Sequence, residues 1–510
     1  MSSQVSNENA DGKSSSKSEE PNGDCKLASK EPPQDYGSVK HVTIEEGNTE
    51  IITSCDVDKK IERYAFIDRL FLSSSAIFNT NKYMDCTVTS STTLCLNGLR
   101  VISMFWIILG HSQEYIVFTR LDNNLRFLEL SETFTAGAIR TFPFGVDTFF
   151  FLSGLLLTYL TLKQLAKGNG KINWALFYFH RFWRITPTYM LLLAIWMNLF
   201  LKWGHGPDHD LYGEREAYDK CKPEWWLHLL YINNLYPYPG SIAGCFGWTW
   251  YLANDMQFFI ISPFIIYPLY RFWKAGILTI VVLFLTSFGS TIYLCVYWGI
   301  GFANTGFYND RVANDPRPGD DYLYAKPWHR IPPYLIGILF GYMLYKLKGR
   351  SIQIGWWKNL LGWLIAAGTA MTVVYVGYAT SPDTPQWAAV LYVTFSRTLF
   401  TLSVAWVTFS CIMGYGGLVN QFLSWSVWIP LGRLTFAAYL FHPAMIAWVL
   451  TTKKTLMHLT YVDFSYWFVA NVVFSYACAF IFVLLVEGPT GSLEDALLGS
   501  RRRGNKDKNK

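Results

Sequence analysis

Arg100 and His111 lie eleven residues apart in the apolar stretch Leu96–Phe118, LNGLRVISMFWIILGHSQEYIVF. Eleven steps of about 100° return a helix almost to the same face, and at 1.5 Å per residue they separate the two side chains by roughly 16 Å. Ser103 and Glu114 share that face, whereas Phe105, Ile108 and Leu109 do not. A histidine at mid-depth in such a helix can act as general base on a hydroxyl. Lipid cannot solvate a polar stripe, so the stripe must face a protein interior or a wet cavity. The plainer reading makes His111 a hydrogen-bonded packing residue; the arginine in register with it argues for chemistry.

Other residues extend the pattern. In HRFWR, His180–Arg184, Arg181 and Arg184 are i, i+3 neighbours that can point at one ligand. Two forked guanidiniums suit the phosphates of a donor such as coenzyme A, with ordinary basic flanking of a span as the alternative. Asp147 and Ser153 fall in a second apolar stretch, and Asp255 and Gln257 in WTWYLANDMQFF. Carboxylates in lipid are costly and tend to be paired or functional. Asp147 is expected at the exofacial end, where water solvates it. His442 precedes Pro443 in YLFHPAMI and is either a second cavity residue or the relief of a proline kink. No GxSxG elbow, CxxC pair or metal-ligand cluster offers a rival centre. The 16 Å between Arg100 and His111 approximates the reach of a pantetheine arm from phosphate to thioester, so the spacing fits acyl transfer.

These residues need membrane helices to position them. The 510-residue chain is 51% hydrophobic, 17% aromatic and only 16% charged, against about 25% charged in soluble domains. A net charge of +6 is too small to argue for nucleic acid, and 21 Trp and 31 Tyr suit interfacial belts. Residues 1–95 are expected to be cytosolic, disordered through about Lys60, with an apolar patch in AFIDRLFLSSSAIF. Ten spans are expected within 96–488. They are Leu96–Phe118, Pro143–Leu165, Phe182–Trp203, Trp248–Arg271, Ala275–Phe302, Ile331–Tyr345, Trp357–Tyr378, Trp387–Met413, Trp428–Thr451 and Phe464–Val486. A basic turn from Lys163 to Arg184 is expected between the second and third.

Lys163, Lys167, Lys171, Arg181, Arg184, Arg271, Lys274, Lys346, Lys348, Arg350 and Lys358 share one side with the basic 489–510 tail. The positive-inside rule makes that side, and both termini, cytosolic. Cys221 and Cys245 then face an oxidising compartment that permits a disulfide, with two free thiols as the alternative. Plasma membrane and endoplasmic reticulum satisfy the same charge pattern.

LNGLR…ILGHS, GVDTFFFLSGLLLTY, HRFWRITP and RLTFAAYLFHPAMI together resemble the acyltransferase-3 family of multispan membrane proteins, and within it the nose resistant to fluoxetine group. The resemblance runs from about Cys95 to Pro489. It implies a ten-helix all-α bundle that moves an acyl group, often acetyl, from cytosolic acyl-CoA to an acceptor at or across the membrane. It also implies His111 as the catalytic histidine, Arg100 as its motif partner, and Arg181 and Arg184 as the donor-binding pair. The fourth-span motif WSLxxEEQF of bacterial relatives reads here Trp250, Tyr251, Leu252, Ala253, Asn254, Asp255, Met256, Gln257, Phe258, with one glutamate shortened and one missing. That departure supports an alternative, a lipid- or drug-handling transport protein with a degenerate site. In the animal group a secreted cysteine-rich domain and an extra span normally come first, whereas Met1 here opens on polar sequence.

Overall fold

The structure, a computed structural model, describes residues 75–87, 93–118, 121–131, 133–236, 244–299, 322–347, 349–350, 352–378 and 384–494. The expected disordered segment, the loop around 309–321 and the basic tail past 494 lie outside the described residues. The bundle consists of α1 Cys95–Glu114, α2 Pro143–Lys167, α3 Trp174–Leu199, α4 Trp250–Ile261, α5 Pro263–Arg271, α6 Trp273–Tyr297, α7 Pro327–Leu347, α8 Trp356–Tyr375, α9 Gln386–Ile412, α10 Trp428–Thr451 and α11 Tyr461–Phe482. Among the described residues, nine helical stretches are long and apolar enough to span a bilayer, with α4 and α5 forming one stretch from Gly247 to Arg271. Its break falls at Pro263, which has no N–H for the Phe259 carbonyl; the Ser262 hydroxyl donates to that carbonyl instead at 2.7 Å. The 21-residue α7 is long enough at about 30 Å, but His329, Arg330 and Lys346 make it more polar. It completes an all-α membrane bundle of ten long members.

Two expected boundaries move. The third helix begins at Trp174 rather than Phe182, because the Asn173 side chain accepts from the Leu176 N–H and caps it. The basic turn therefore shrinks to residues 168–173, and Arg181 and Arg184 lie about 10 and 15 Å inside the helix instead of at its opening. The helix expected to reach Phe302 stops at Tyr297, followed by Gly299 at a φ of 62°.

Small residues set the tightest helix pair. A Cβ on Gly337 would sit 2.2 Å from the Phe151 carbonyl oxygen, and one on Gly154 would sit 2.4 Å from that of Tyr334. Gly337 and Gly341 form a small-xxx-small face on α7 that lets its backbone meet α2. The most enclosed helix is α10, with 83% of its spanning window buried; α6 and α8, at 17%, are peripheral. Ahead of the bundle, the helix Ala76–Met84 is held by Arg433, whose Nη1 donates to the carbonyls of Lys82, Tyr83 and Asp85 at 3.0, 3.1 and 2.7 Å. Between α3 and α4, Cys221 and Cys245 are disulfide-bonded. Beside them Tyr189 donates to Thr249 at 2.7 Å and pairs with His228 Nδ1 at 2.6 Å.

Candidate active site

His111 sits about 24 Å along α1 from Cys95. The loops that follow α1 and α10 are clasped: Asp122 N–H donates to the Met457 carbonyl at 3.1 Å, and His458 pairs with Asp122 at 2.9 Å. That clasp brings His442 of α10 against His111, with Nδ1 of His111 2.8 Å from Nε2 of His442. On its other side, His442 Nδ1 lies 3.2 Å from the Ala438 carbonyl oxygen. A carbonyl can only accept, so His442 carries its proton on Nδ1 and offers the Nε2 lone pair. His111 must then donate from Nδ1, which leaves its Nε2 unprotonated. The order Ala438 carbonyl, His442, His111 therefore fixes His111 Nε2 as the basic nitrogen. Asn471 of α11 holds the adjacent turn by donating to Ser112 Oγ at 2.8 Å, and Ser112 donates to the Ile108 carbonyl at 2.7 Å. Glu114 approaches His111 Nε2 at 3.8 Å and is 49% exposed. Met104, Ile107 and Ile108 are fully buried, so protein encloses this part of α1.

Toward the other end lies the arginine cluster. Arg184 is exposed and stands near enough to the half-buried Arg100 for their charges to repel. Arg181 is separated from Arg184 in role. It forms an ion pair with Asp255, while Ser153 Oγ donates to the other Asp255 oxygen at 2.7 Å. A carboxylate bonded on both oxygens serves as a tether between α2, α3 and α4. Glu487, where the last helix loosens into a π turn over Val483–Glu487, faces Arg184. Tyr83 of the leading helix stands among Glu487, Arg184 and Arg433, and burial pushes its phenol well above the ordinary range.

Aromatic rings connect the two ends. Tyr251 has Asp255, Arg181 and Arg100 around its phenol. Its ring lies 5.3 Å from that of Tyr439, which is 6.0 Å from His442. The remaining polar residues of the fourth-span motif act structurally. Asn254 donates to the Ala325 carbonyl at 2.8 Å, and Gln257 donates to Asn234 at 2.8 Å and to the Tyr231 carbonyl at 2.9 Å.

Asp147 departs from expectation. It is completely buried rather than water-solvated, and accepts from Arg330 at 3.2 Å and from Arg397 at 2.8 Å. Neither arginine stands out in the sequence reading, because Arg330 directly precedes the expected sixth span and Arg397 hides in the apolar TFSRTLF. A lone arginine inside a span is itself a costly placement, and that was the available signal. Among the described residues no group of three or more His, Cys, Asp or Glu side chains is arranged to hold a metal ion.

Comparison with known proteins gives the family. Residues 93–486 match the acyltransferase domain model of the acyltransferase-3 family. The chain is 30% identical over 437 residues to Nose resistant to fluoxetine protein 6 of Caenorhabditis elegans, covering 80% of this chain and 52% of that protein. It thus spans about half the length of that relative. Regulator of hypoxia-inducible factor 1 of the same organism is 23% identical over 80% of this chain and 81% of its own length. O-acetyltransferase OatA of Staphylococcus aureus is 24% identical over 60% of this chain and 46% of its own. No solved structure matches. With the domain matched across the whole bundle that carries Arg100, His111, Asp255 and His442, the chain belongs to the acyltransferase-3 family.

Proposed function

We propose that the protein is an integral-membrane acyltransferase that moves an acyl group, acetyl in the simplest case, from acyl-CoA to an acceptor hydroxyl at or across the membrane. The observation that carries this reading is the Ala438–His442–His111 order, which leaves a basic nitrogen on the same helix as Arg100. The donor's phosphates bind Arg100 and Arg184 at the basic, cytosolic side, where Arg184 is exposed. Arg181, paired with Asp255, anchors that end without releasing its charge. The pantetheine arm runs past Tyr251 and Tyr439 toward the histidines. His111 Nε2 takes the proton of the acceptor hydroxyl as its oxygen bonds to the thioester carbonyl carbon. The C–S bond breaks as the tetrahedral centre collapses, and the imidazolium returns the proton to the departing thiolate. His442 steadies the transient charge, because the Nδ1–H to Nε2 bond becomes charge-assisted. Both termini are cytosolic in this reading, in the plasma membrane or the endoplasmic reticulum, and lipids surround α6 and α8. The test is transfer of label from [acetyl-14C]acetyl-CoA to any membrane or soluble hydroxyl acceptor, with free CoA released in step. Membranes that carry the protein and release no CoA above control membranes would contradict the proposal.

A second reading, a lipid- or drug-handling transport protein on the same fold, is favoured by one observation. Asp255 is spent on Arg181 and Ser153, while Asn254 and Gln257 brace a loop. Substrate flux that survives His111→Ala supports transport, and flux abolished by that change supports acyl transfer.

A further inference from the structure

The buried cluster around Asp147 has no part in the reaction above. It is built from one end of α2, the same end of α7 and the interior of α9. Arg330 is fully buried; its Nε donates to the Tyr324 carbonyl at 2.6 Å and its Nη1 to Asp147 at 3.2 Å. Its Nη2 is buried and has no hydrogen-bond partner. The guanidinium lies 4.6 Å from the ring centre of Trp250 and 4.5 Å from that of Tyr324, so aromatic faces cover its plane without neutralising it. Arg397 donates from Nη1 to the other Asp147 oxygen at 2.8 Å and from Nε to His329 Nε2 at 2.9 Å. Because Nε2 of His329 accepts that bond it carries no proton, and Nδ1 faces Thr291 Oγ1 at 3.2 Å. The imidazole is neutral. Nearby, the buried Lys326 donates to the Asn234 carbonyl at 2.5 Å.

Among the described residues, then, a single carboxylate sits between two guanidiniums, one of which keeps a buried N–H aimed at no acceptor. An uncompensated cation costs several kcal/mol to hold away from water. One negative charge on the open edge of Arg330 would satisfy that donor and lower the cluster's excess of positive charge. From this we infer that the cluster is a binding site for a monovalent anion, a halide or a carboxylate, held by Arg330 Nη2. Arg397, bonded to the same carboxylate, has a side chain that is 11% exposed. The bound anion partners an orphaned buried donor and therefore stabilises the bundle without joining the chemistry at His111.

The test uses full-length protein in detergent and follows thermal unfolding at constant ionic strength, with gluconate, a carboxylate too bulky for the fully buried edge of Arg330, exchanged for chloride, bromide or acetate. The expected result is a midpoint that rises by a few degrees with chloride or bromide in a saturable manner. A rise with acetate alone assigns the site to a carboxylate instead of a halide. Arg330→Gln removes the guanidinium that carries the orphaned donor and should abolish the anion dependence. Asp147→Asn adds net positive charge and should move the half-saturation point several-fold lower, so one variant that folds suffices. Identical unfolding in gluconate, halide and acetate, or an unchanged half-saturation in Asp147→Asn, overturns the inference. Acyl transfer is measured separately, so the two accounts fail independently.

Discussion

His442→Phe isolates the contribution of the histidine relay. The substitution keeps an aromatic ring in a fully buried position of α10 but removes the acceptor 2.8 Å from His111 Nδ1. Without it, His111 loses the bond that holds its proton on Nδ1 and the one that becomes charge-assisted when Nε2 is protonated. A hydrogen bond to a charged group contributes about 1.5–3 kcal/mol, which corresponds to about 10- to 150-fold in rate. The expected outcome is a fall in kcat of that size, with donor KM changed by less than about threefold, because Arg100 and Arg184 are untouched. His442→Gln places a carbonyl oxygen near the lost Nε2 and should recover most of the rate. His111→Ala removes the base itself and should cost more, about 100- to 10,000-fold. CoA release followed with a thiol reagent on purified protein resolves all three. Wild-type kcat in His442→Phe, or no recovery in His442→Gln, would refute the assigned tautomer and the relay built on it.

Other expectations follow from single contacts. Asp255→Asn strands the Arg181 guanidinium and should destabilise by on the order of 3 kcal/mol, whereas Asp255→Leu combined with Arg181→Met should cost clearly less than the sum of its parts in denaturation midpoints. Gly337→Ala drives a Cβ into the Phe151 backbone and should lower the unfolding midpoint by several degrees, while Gly368→Ala, with nothing within 4 Å of the new atom, should be neutral or stabilising by up to about 1 kcal/mol. His228, between α3 and α4, is pushed down to about 4 by burial, with the Cys245 backbone as an acceptor opposing. The unfolded histidine, near 6.5, binds a proton first, so stability is full above that value and falls as pH drops from about 6.5 toward 4. His228→Gln should flatten that acid limb in a pH series of unfolding midpoints.

Much of the candidate site was legible because it obeys local rules. The Arg100–His111 register needs only the pitch of one helix, and the structure keeps α1 continuous from Cys95 to Glu114. Side and compartment left the Cys221–Cys245 disulfide and two free thiols both open, and the structure has the bond formed. The relay was not legible, since whether His442 meets His111 depends on contacts between helices 331 residues apart. The surroundings of Asp147 were misread for the same reason: its partners stand 183 and 250 residues away. HRFWR was placed at the opening of its helix because its charges were weighed above the aromatic run from Trp174 that continues the helix. Grouping Arg181 with Arg184 likewise followed helical spacing, while the nearest carboxylate, Asp255, comes from another span.

The central claim is tested most directly by equilibrium binding and thioester turnover of acetyl-CoA on purified wild type, His111→Ala and Arg100→Gln/Arg184→Gln proteins. The account predicts binding and turnover in wild type, binding without turnover in His111→Ala, and loss of binding in the arginine double variant. Turnover retained in His111→Ala, or a wild type that neither binds nor consumes acetyl-CoA, would contradict it.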